Sequence, residues 1–203
     1  MNDLTSLMTK YAAPRRASQL KPGATIPIRA LRAISGTTVA LPDPDRLIHL
    51  QFRRFAGCPA CDLHLRTLAK RQADLDALGI REVVVFHSSA DALRTYVGDL
   101  SFDLIADPDQ RLYRAFGVES SPRALLGPRA WLPLAKAIAH GLRAVVVEGR
   151  PMPPLHPAGG RFGLPADLLI GRNGRVLASH YGDHLDDQWS ADELLEKAFN
   201  LGS

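Results

Sequence analysis

The stretch LIHLQFRRFAGCPACDLHLRTLAKRQADL, residues 47–75, holds both cysteines of the chain, Cys58 and Cys61, where one periodicity gives way to another. "LIHLQFRR" before them is an apolar run of strand length. "CPACDLHLRTLAKRQADLDALG" places Leu65, Leu68, Leu75 and Leu78 at helical intervals and stops at Gly79. Proline directly after Cys58 suits the first helical position, because the donor it lacks would be orphaned there in any case. Cys58 is thus predicted as the helix cap, near the surface, with its sulfur at the positive end. Unpaired amides there favour thiolate over thiol, so Cys58 is expected to be a nucleophile of depressed pKa. Arg53 and Arg54, just upstream, would add positive potential. Cys61 lies one turn later on nearly the same face. That is near enough to attack Cys58 once it has formed a mixed disulfide or a sulfenic acid, which makes Cys61 the expected resolving residue.

The rest of the chain supplies a frame for this unit. Residues 1–19 read as a short amphipathic arm, with Leu4, Leu7, Met8 and Tyr11 at helical spacing. Residues 20–203 read as one domain. "LKPGATIPIRALRAISGTTVALPDPDR" is β-favouring sequence punctuated by turns, hence a β-hairpin. "REVVVFHSS" and "FDLIADP" read as strands, and "ADALRTYVGDL" and "DPDQRLYRAFGV" as helices. This alternation predicts a mainly parallel sheet covered on both faces. Residues 120–164 break the rhythm. A helix is expected near 128–142, with Trp131, Leu134, Ala135, Ile138 and Leu142 in one stripe, in an insertion packed on the sheet edge. "LPADLLIGRNGRVLASHYGD" is a hairpin turning at Asn173-Gly174, and "SADELLEKAFN" a helix capped by Ser190 and Glu193.

A composition of 46% hydrophobic and 23% charged residues in 203 is that of an ordinary single globular domain. The net charge of +4 comes from scattered arginines with no like-charge block, which argues against a nucleic-acid partner. Asp3 stands where a secretory signal would be basic, and apolar runs such as "RAVVVEG" are too short to cross a bilayer, so a cytoplasmic protein without a membrane partner is expected. In that compartment a CxxC pair is more often redox-active or metal-binding than a structural staple. Alternatives stay open: half of a zinc site completed by His64, or two inert buried thiols. A closed zinc site wants four ligands and there is no second CxxC, and c-type haem attachment fails because Asp62 stands where histidine is needed.

Strand, "CPAC", helix, strand and a later "LP" before a hairpin resemble the thioredoxin superfamily. Within it the chain is similar to peroxiredoxin-like proteins related to alkyl hydroperoxide reductase and thiol-specific antioxidant, the CxxC subgroup, over roughly residues 20–200. The resemblance implies a thioredoxin-like α/β fold, a central mixed sheet flanked by helices, with an N-terminal hairpin extension and a helical insertion. It also implies departures. Where peroxiredoxins place the proline and the peroxide-orienting threonine of their active-site motif, this chain has Gln51 and Phe55. Where they carry a thiolate-steadying arginine, it has Pro165, matching the proline that thioredoxins hold in cis, so a cis bond at Leu164-Pro165 is expected to help pair a substrate strand. Thioredoxin's buried acid would fall near Phe52 and is missing, which leaves His49, His64 and His87 as candidate proton acceptors for Cys61.

The expected function is a thiol-dependent oxidoreductase that reduces disulfides or peroxides through an intramolecular disulfide. A thioredoxin- or glutathione-like thiol would restore it, and no organic cofactor or metal is required. The competing reading is a non-catalytic thioredoxin-like binding module. Its insertion, with Trp131 and "RPMPPLHP", would hold a partner or a sister subunit in a homodimer, and its sign would be an exposed apolar patch.

Overall fold

The computed structural model of the chain describes residues 17–121, 131–157 and 159–201. The arm residues Leu4, Leu7, Met8 and Tyr11, and the start of the helix expected at 128, lie outside the described residues. In chain order the elements are β1 (Arg29–Arg32), β2 (Thr38–Leu41), β3 (Leu47–Arg53), α1 (Pro59–Ala69), α2 (Gln72–Ala77), β4 (Ile80–Phe86), α3 (Ala90–Val97), β5 (Asp103–Ala106), α4 (Arg111–Ala115), α5 (Trp131–Val146), β6 (Ala166–Ile170), β7 (Val176–Tyr181) and α6 (Ala191–Leu201).

The central sheet runs β5-β4-β3-β6-β7. β3 pairs in parallel with β4 and antiparallel with β6, so the sheet is mixed, as the resemblance implies, rather than mainly parallel as the alternation of strands and helices predicts, because β6 and β7 join as an antiparallel hairpin. β1 and β2 form the separate hairpin. The C-terminal capping box is present: Glu193 accepts the Ser190 N–H at 2.8 Å, and the Ser190 hydroxyl accepts the Glu193 N–H at 3.3 Å. One expectation needs correction. The single helix read from the cysteines to Gly79 is two, because Arg71 leaves helical backbone at φ −107° and its N–H bonds Leu68 O in a tight turn. That turn lets Leu75 as well as Leu65 and Leu68 reach full burial.

Alternation along β3 decides what each face of the sheet holds. Ile48, Leu50 and Phe52 join Val83, Val85, Leu168 and Ile170 in a core roofed by the hairpin and α4. His49, Gln51 and Arg53 point the other way, fully buried on the side of α1. They survive there because neighbouring strands and α1 supply partners. His49 Nδ1 lies 2.8 Å from Glu82 Oε2, and its Nε2 lies 3.2 Å from Asp167 Oδ1. The Gln51 amide donates to Glu82. Arg53 Nη2 donates to Gln51 Oε1 at 2.6 Å and to Asp167 Oδ1 at 2.5 Å, and lies 3.2 Å from His64 Nε2. Burial alone would push His49 down, but Glu82 and Asp167 outweigh it and raise its pKa to about 9. Burial likewise pushes the Asp167 carboxyl up, and Arg53 with His49 more than reverses it. Two cations thus meet two carboxylates beneath α1. Burial and the Arg53 charge hold His64 well below its ordinary value, so its neutral Nε2 accepts from Arg53.

Removing one member of such a cluster strands the others in low dielectric. Asp167→Asn is expected to lower unfolding stability by about 3–5 kcal/mol. Urea denaturation at neutral pH checks this, and the drop should be much smaller for the exposed Asp192→Asn.

Candidate active site

The segment after β3 is held before it turns into α1. The Ala56 N–H bonds Ser88 Oγ at 3.0 Å, and the His87 N–H bonds Arg54 O at 3.3 Å. Gly57 makes the turn at φ +84°, and a Cβ there would meet Pro154 and Tyr96 at 3.0 Å. Cys58 follows in extended backbone as the N-cap of α1, with Pro59 opening the helix. Its sulfur accepts from the Cys61 N–H at 3.5 Å and from Arg54 Nη2 at 2.9 Å.

These contacts set the charge. Burial pushes the Cys58 thiol up, but the Cys61 thiol and amide together with the Arg54 guanidinium outweigh it and bring its pKa down to about 6. The Cys61 thiol goes well above its ordinary value, because it donates to Cys58 and is itself buried. One proton is therefore shared by two sulfurs and resides on Cys61. Both cysteines are free thiols.

Several expectations change here. Of the two arginines only Arg54 reaches a cysteine, because Arg53, the last residue of β3, points into the cluster beneath α1. His64 is one turn beyond Cys61 but is spent on Arg53, so it faces neither sulfur as a base nor completes a Cys-Cys-His set. His87 is buried with its ring edge-on to Tyr113 at 5.7 Å and with Gly163 close by its Nε2. His49 is sealed between Glu82 and Asp167. The cis bond among the described residues is Leu41-Pro42, not Leu164-Pro165. The strand-pairing edge expected there is filled by the chain itself, since the Leu164 N–H bonds Glu119 O at 2.9 Å and the Ser121 N–H bonds Phe162 O at 2.7 Å. Pro165 directly precedes β6, one residue before the Phe52/Ala166 pair, and accepts the Gly182 N–H through its carbonyl at 2.9 Å.

Cys58 was expected near the surface and is 1% exposed, with Cys61 at 3%. The insertion is the reason. It packs over the cysteine helix rather than on the sheet edge. α5 approaches α1 through Ala137, Gly141 and Ala144, and Gly141 comes so near that a Cβ would lie 3.1 Å from the Pro59 ring. The insertion is also bound ionically: Asp62 accepts from His140 Nε2 at 2.8 Å, Arg150 Nη1 at 3.1 Å and Arg66 Nε at 3.1 Å. Asp99 takes Arg66 and Arg150, both at 2.9 Å. Arg54 Nη1 donates to Arg161 O at 3.2 Å, so the arginine on the sulfur is itself tied to the covering loop. Between loop and helix lies a mainly apolar cavity of about 380 Å³, bordered by Arg54, Phe55, Pro59, Ile138, Met152 and Leu155 among others. Neither Asp62 nor its partners was singled out as a site residue. The pairings of Asp62 with His140 and Arg150 span 78 and 88 positions, and no local pattern announces them.

Residues 67–184 match the AhpC/TSA antioxidant enzyme family. This covers more than half of the chain and begins beyond the cysteines. Thioredoxin-like protein AAED1, chloroplastic, of Arabidopsis thaliana is 28% identical over 101 residues, 49% of this chain and 41% of that protein, so the match spans about two fifths of the relative's length. Among solved structures, peroxidoxin BcpB of Mycobacterium tuberculosis superposes with a TM-score of 0.62 at 18% identity, over 91% of this chain and 100% of that one. A cysteine-to-serine mutant of Xylella fastidiosa PrxQ gives 0.63 at 14%, over 91% and 98%. A Chlorobium tepidum protein described as a putative thiol:disulfide interchange protein DsbE gives 0.54 at 22%, over 90% and 97%. The fold is thus thioredoxin-like, of the peroxiredoxin type. The chain belongs to the AhpC/TSA antioxidant enzyme family, and membership together with the adjacent cysteines supports a thiol-dependent redox function.

If Asp62 fastens the insertion, Asp62→Asn should loosen α5 selectively. Charge-assisted hydrogen bonds of this kind predict amide exchange in residues 131–146 faster by about tenfold or more, with β3 unchanged. Hydrogen exchange read by mass spectrometry checks it, and unchanged protection of α5 would contradict the role.

Proposed function

We propose that the chain is a thiol-dependent peroxidase in which Cys58 is the attacking residue and Cys61 the resolving one. The observation that carries this reading is the Arg54 guanidinium 2.9 Å from a Cys58 sulfur that is buried yet favours its thiolate at neutral pH. Peroxiredoxins steady their thiolate with an arginine, and Arg54 supplies one from the segment before the cysteine rather than from position 165. A sulfur beneath an insertion suits a small or slender substrate such as a hydroperoxide better than a disulfide on a folded protein. The occupied edge at Leu164 weakens the case for strand docking as well.

The Cys58 thiolate attacks the outer oxygen of the hydroperoxide and the O–O bond breaks. Cys58 becomes a sulfenic acid, and the departing alkoxide or hydroxide takes a proton to leave as alcohol or water. Arg54 is placed to stabilise negative charge moving from sulfur to oxygen. The Cys61 thiol then attacks the Cys58 sulfur, an S–S bond forms, and water leaves with the Cys61 proton. An external thiol of the thioredoxin or glutathione kind returns the disulfide to two thiols. Arg54 and Pro59 border the pocket, while Arg53 and His64 support α1 from beneath.

Stopped-flow oxidation of the reduced protein by hydrogen peroxide and by an organic hydroperoxide tests the reading. The rate should rise with pH through about 6, where Cys58 loses its proton, and level off above it. Cys58→Ser should abolish the reaction, and Cys61→Ser should keep the first step but stop at a trappable sulfenic acid. Oxidation no faster than that of a free thiol, with rapid reduction of a model disulfide by the same protein, would replace peroxidase with disulfide exchange.

A further inference from the structure

A surface helix normally turns its large apolar residues inward. α5 does the reverse. Apart from the partly buried Leu134, its inward positions are the small Ala137, Gly141 and Ala144, whereas Trp131 is 68% exposed, Ile138 51%, Leu142 62% and Val146 78%. Those four fall on one outward stripe at helical spacing, the stripe that the sequence singles out for Trp131, Ile138 and Leu142. Leu132, 67% exposed, begins the row beside it, and that row also carries Lys136 and Arg143, both exposed. No carboxylate occurs in the sequence between Glu119 and Glu148, where the cations are Arg123, Arg129, Lys136 and Arg143.

We propose that the outward face of α5 is a peripheral docking surface for an anionic lipid bilayer. Apolar side chains led by a tryptophan, flanked by cations and with no anion on the helix, match the acyl boundary and charged headgroups of such a surface at once. No described helix is long and apolar enough to cross a membrane, so the contact is one of lying on the bilayer. Charge selects this occupant over a second copy of the chain. A two-fold contact through this face would set Lys136 and Arg143 against their own counterparts, with no carboxylate on α5 to answer them. The stripe also continues to the apolar cavity, since Ile138 borders both and Met152 and Leu155, 69% and 72% exposed, line the cavity's far side. Docking would therefore bring the approach to Arg54 and Cys58 against the lipid, although docking itself does not need the thiols to be reactive.

Flotation of the full chain with phosphatidylcholine vesicles, with and without phosphatidylglycerol, tests this. Binding is expected on the anionic vesicles, weakened by added salt. The fluorescence of Trp131 should shift to the blue, a shift missing in Trp131→Phe because Trp189 is already buried. Arg143→Gln should weaken binding roughly fivefold, and Leu142→Glu should remove it while circular dichroism stays that of the wild type. Lack of binding to anionic vesicles would overturn the proposal, as would equal binding to both vesicle types. So would a concentration-dependent dimer that Leu142→Glu dissociates, because the face would then belong to a second copy.

Discussion

The contact on which the site depends is the Arg54 guanidinium against the Cys58 sulfur. Burying a thiol normally favours the neutral form, and Cys58 is almost wholly buried. The cap position contributes one weak backbone donor at 3.5 Å, too long to decide the balance alone. The Cys61 thiol donating to the sulfur, together with a full positive charge at 2.9 Å buried in the same pocket, changes the sign of the result. Cys61 completes the arrangement by donating to the anion and so keeping its own proton. The two cysteines differ in role because they differ in environment, although only two residues separate them.

That contact requires a rigid floor and a roof. The floor is the cluster of His49, Gln51, Arg53, Glu82 and Asp167, which joins three strands and, through His64, α1. Buried ion pairs of this kind are weak contributors to net stability, and their better-attested effect is to fix one arrangement over others. Here the arrangement fixed is the seating of α1 on β3. The roof is the insertion, held by Asp62 and Asp99 through His140, Arg66 and Arg150. It excludes water from the sulfurs, which strengthens the Arg54 interaction and limits what can reach them.

Local features were legible in the sequence. The strand-cysteine-helix unit, the Cys58 cap, the Ser190 capping box and the Asn173-Gly174 hairpin each depend on neighbours within a few positions, and the thioredoxin-like architecture follows from their order. Features made by distant residues were not legible. Arg53 and Arg54 look equivalent in the chain, yet one ends a strand facing the polar cluster and the other lies beyond it and reaches the sulfur. The missing acid near Phe52 left only histidines as candidate proton acceptors for Cys61, while Glu82 and Asp167 arrive from β4 and β6 on the other face of β3, beside His49, Gln51 and Arg53. Asp167 interrupts an otherwise apolar strand and Glu82 follows Arg81 at the start of another, and those charges were the available signal. The burial of Cys58 also escaped local reasoning, because it comes from an insertion expected on the sheet edge that in fact packs over α1.

The most direct test of this account is a titration of the thiolate ultraviolet absorbance of the reduced protein, wild type against Arg54→Gln. The wild type should show a first transition near pH 6, from Cys58 alone, with Cys61 titrating much later. In Arg54→Gln that transition should move up by about one unit or more. An unchanged midpoint in the variant, or a wild-type midpoint like that of an ordinary thiol, would contradict the claim that Arg54 makes the buried sulfur anionic.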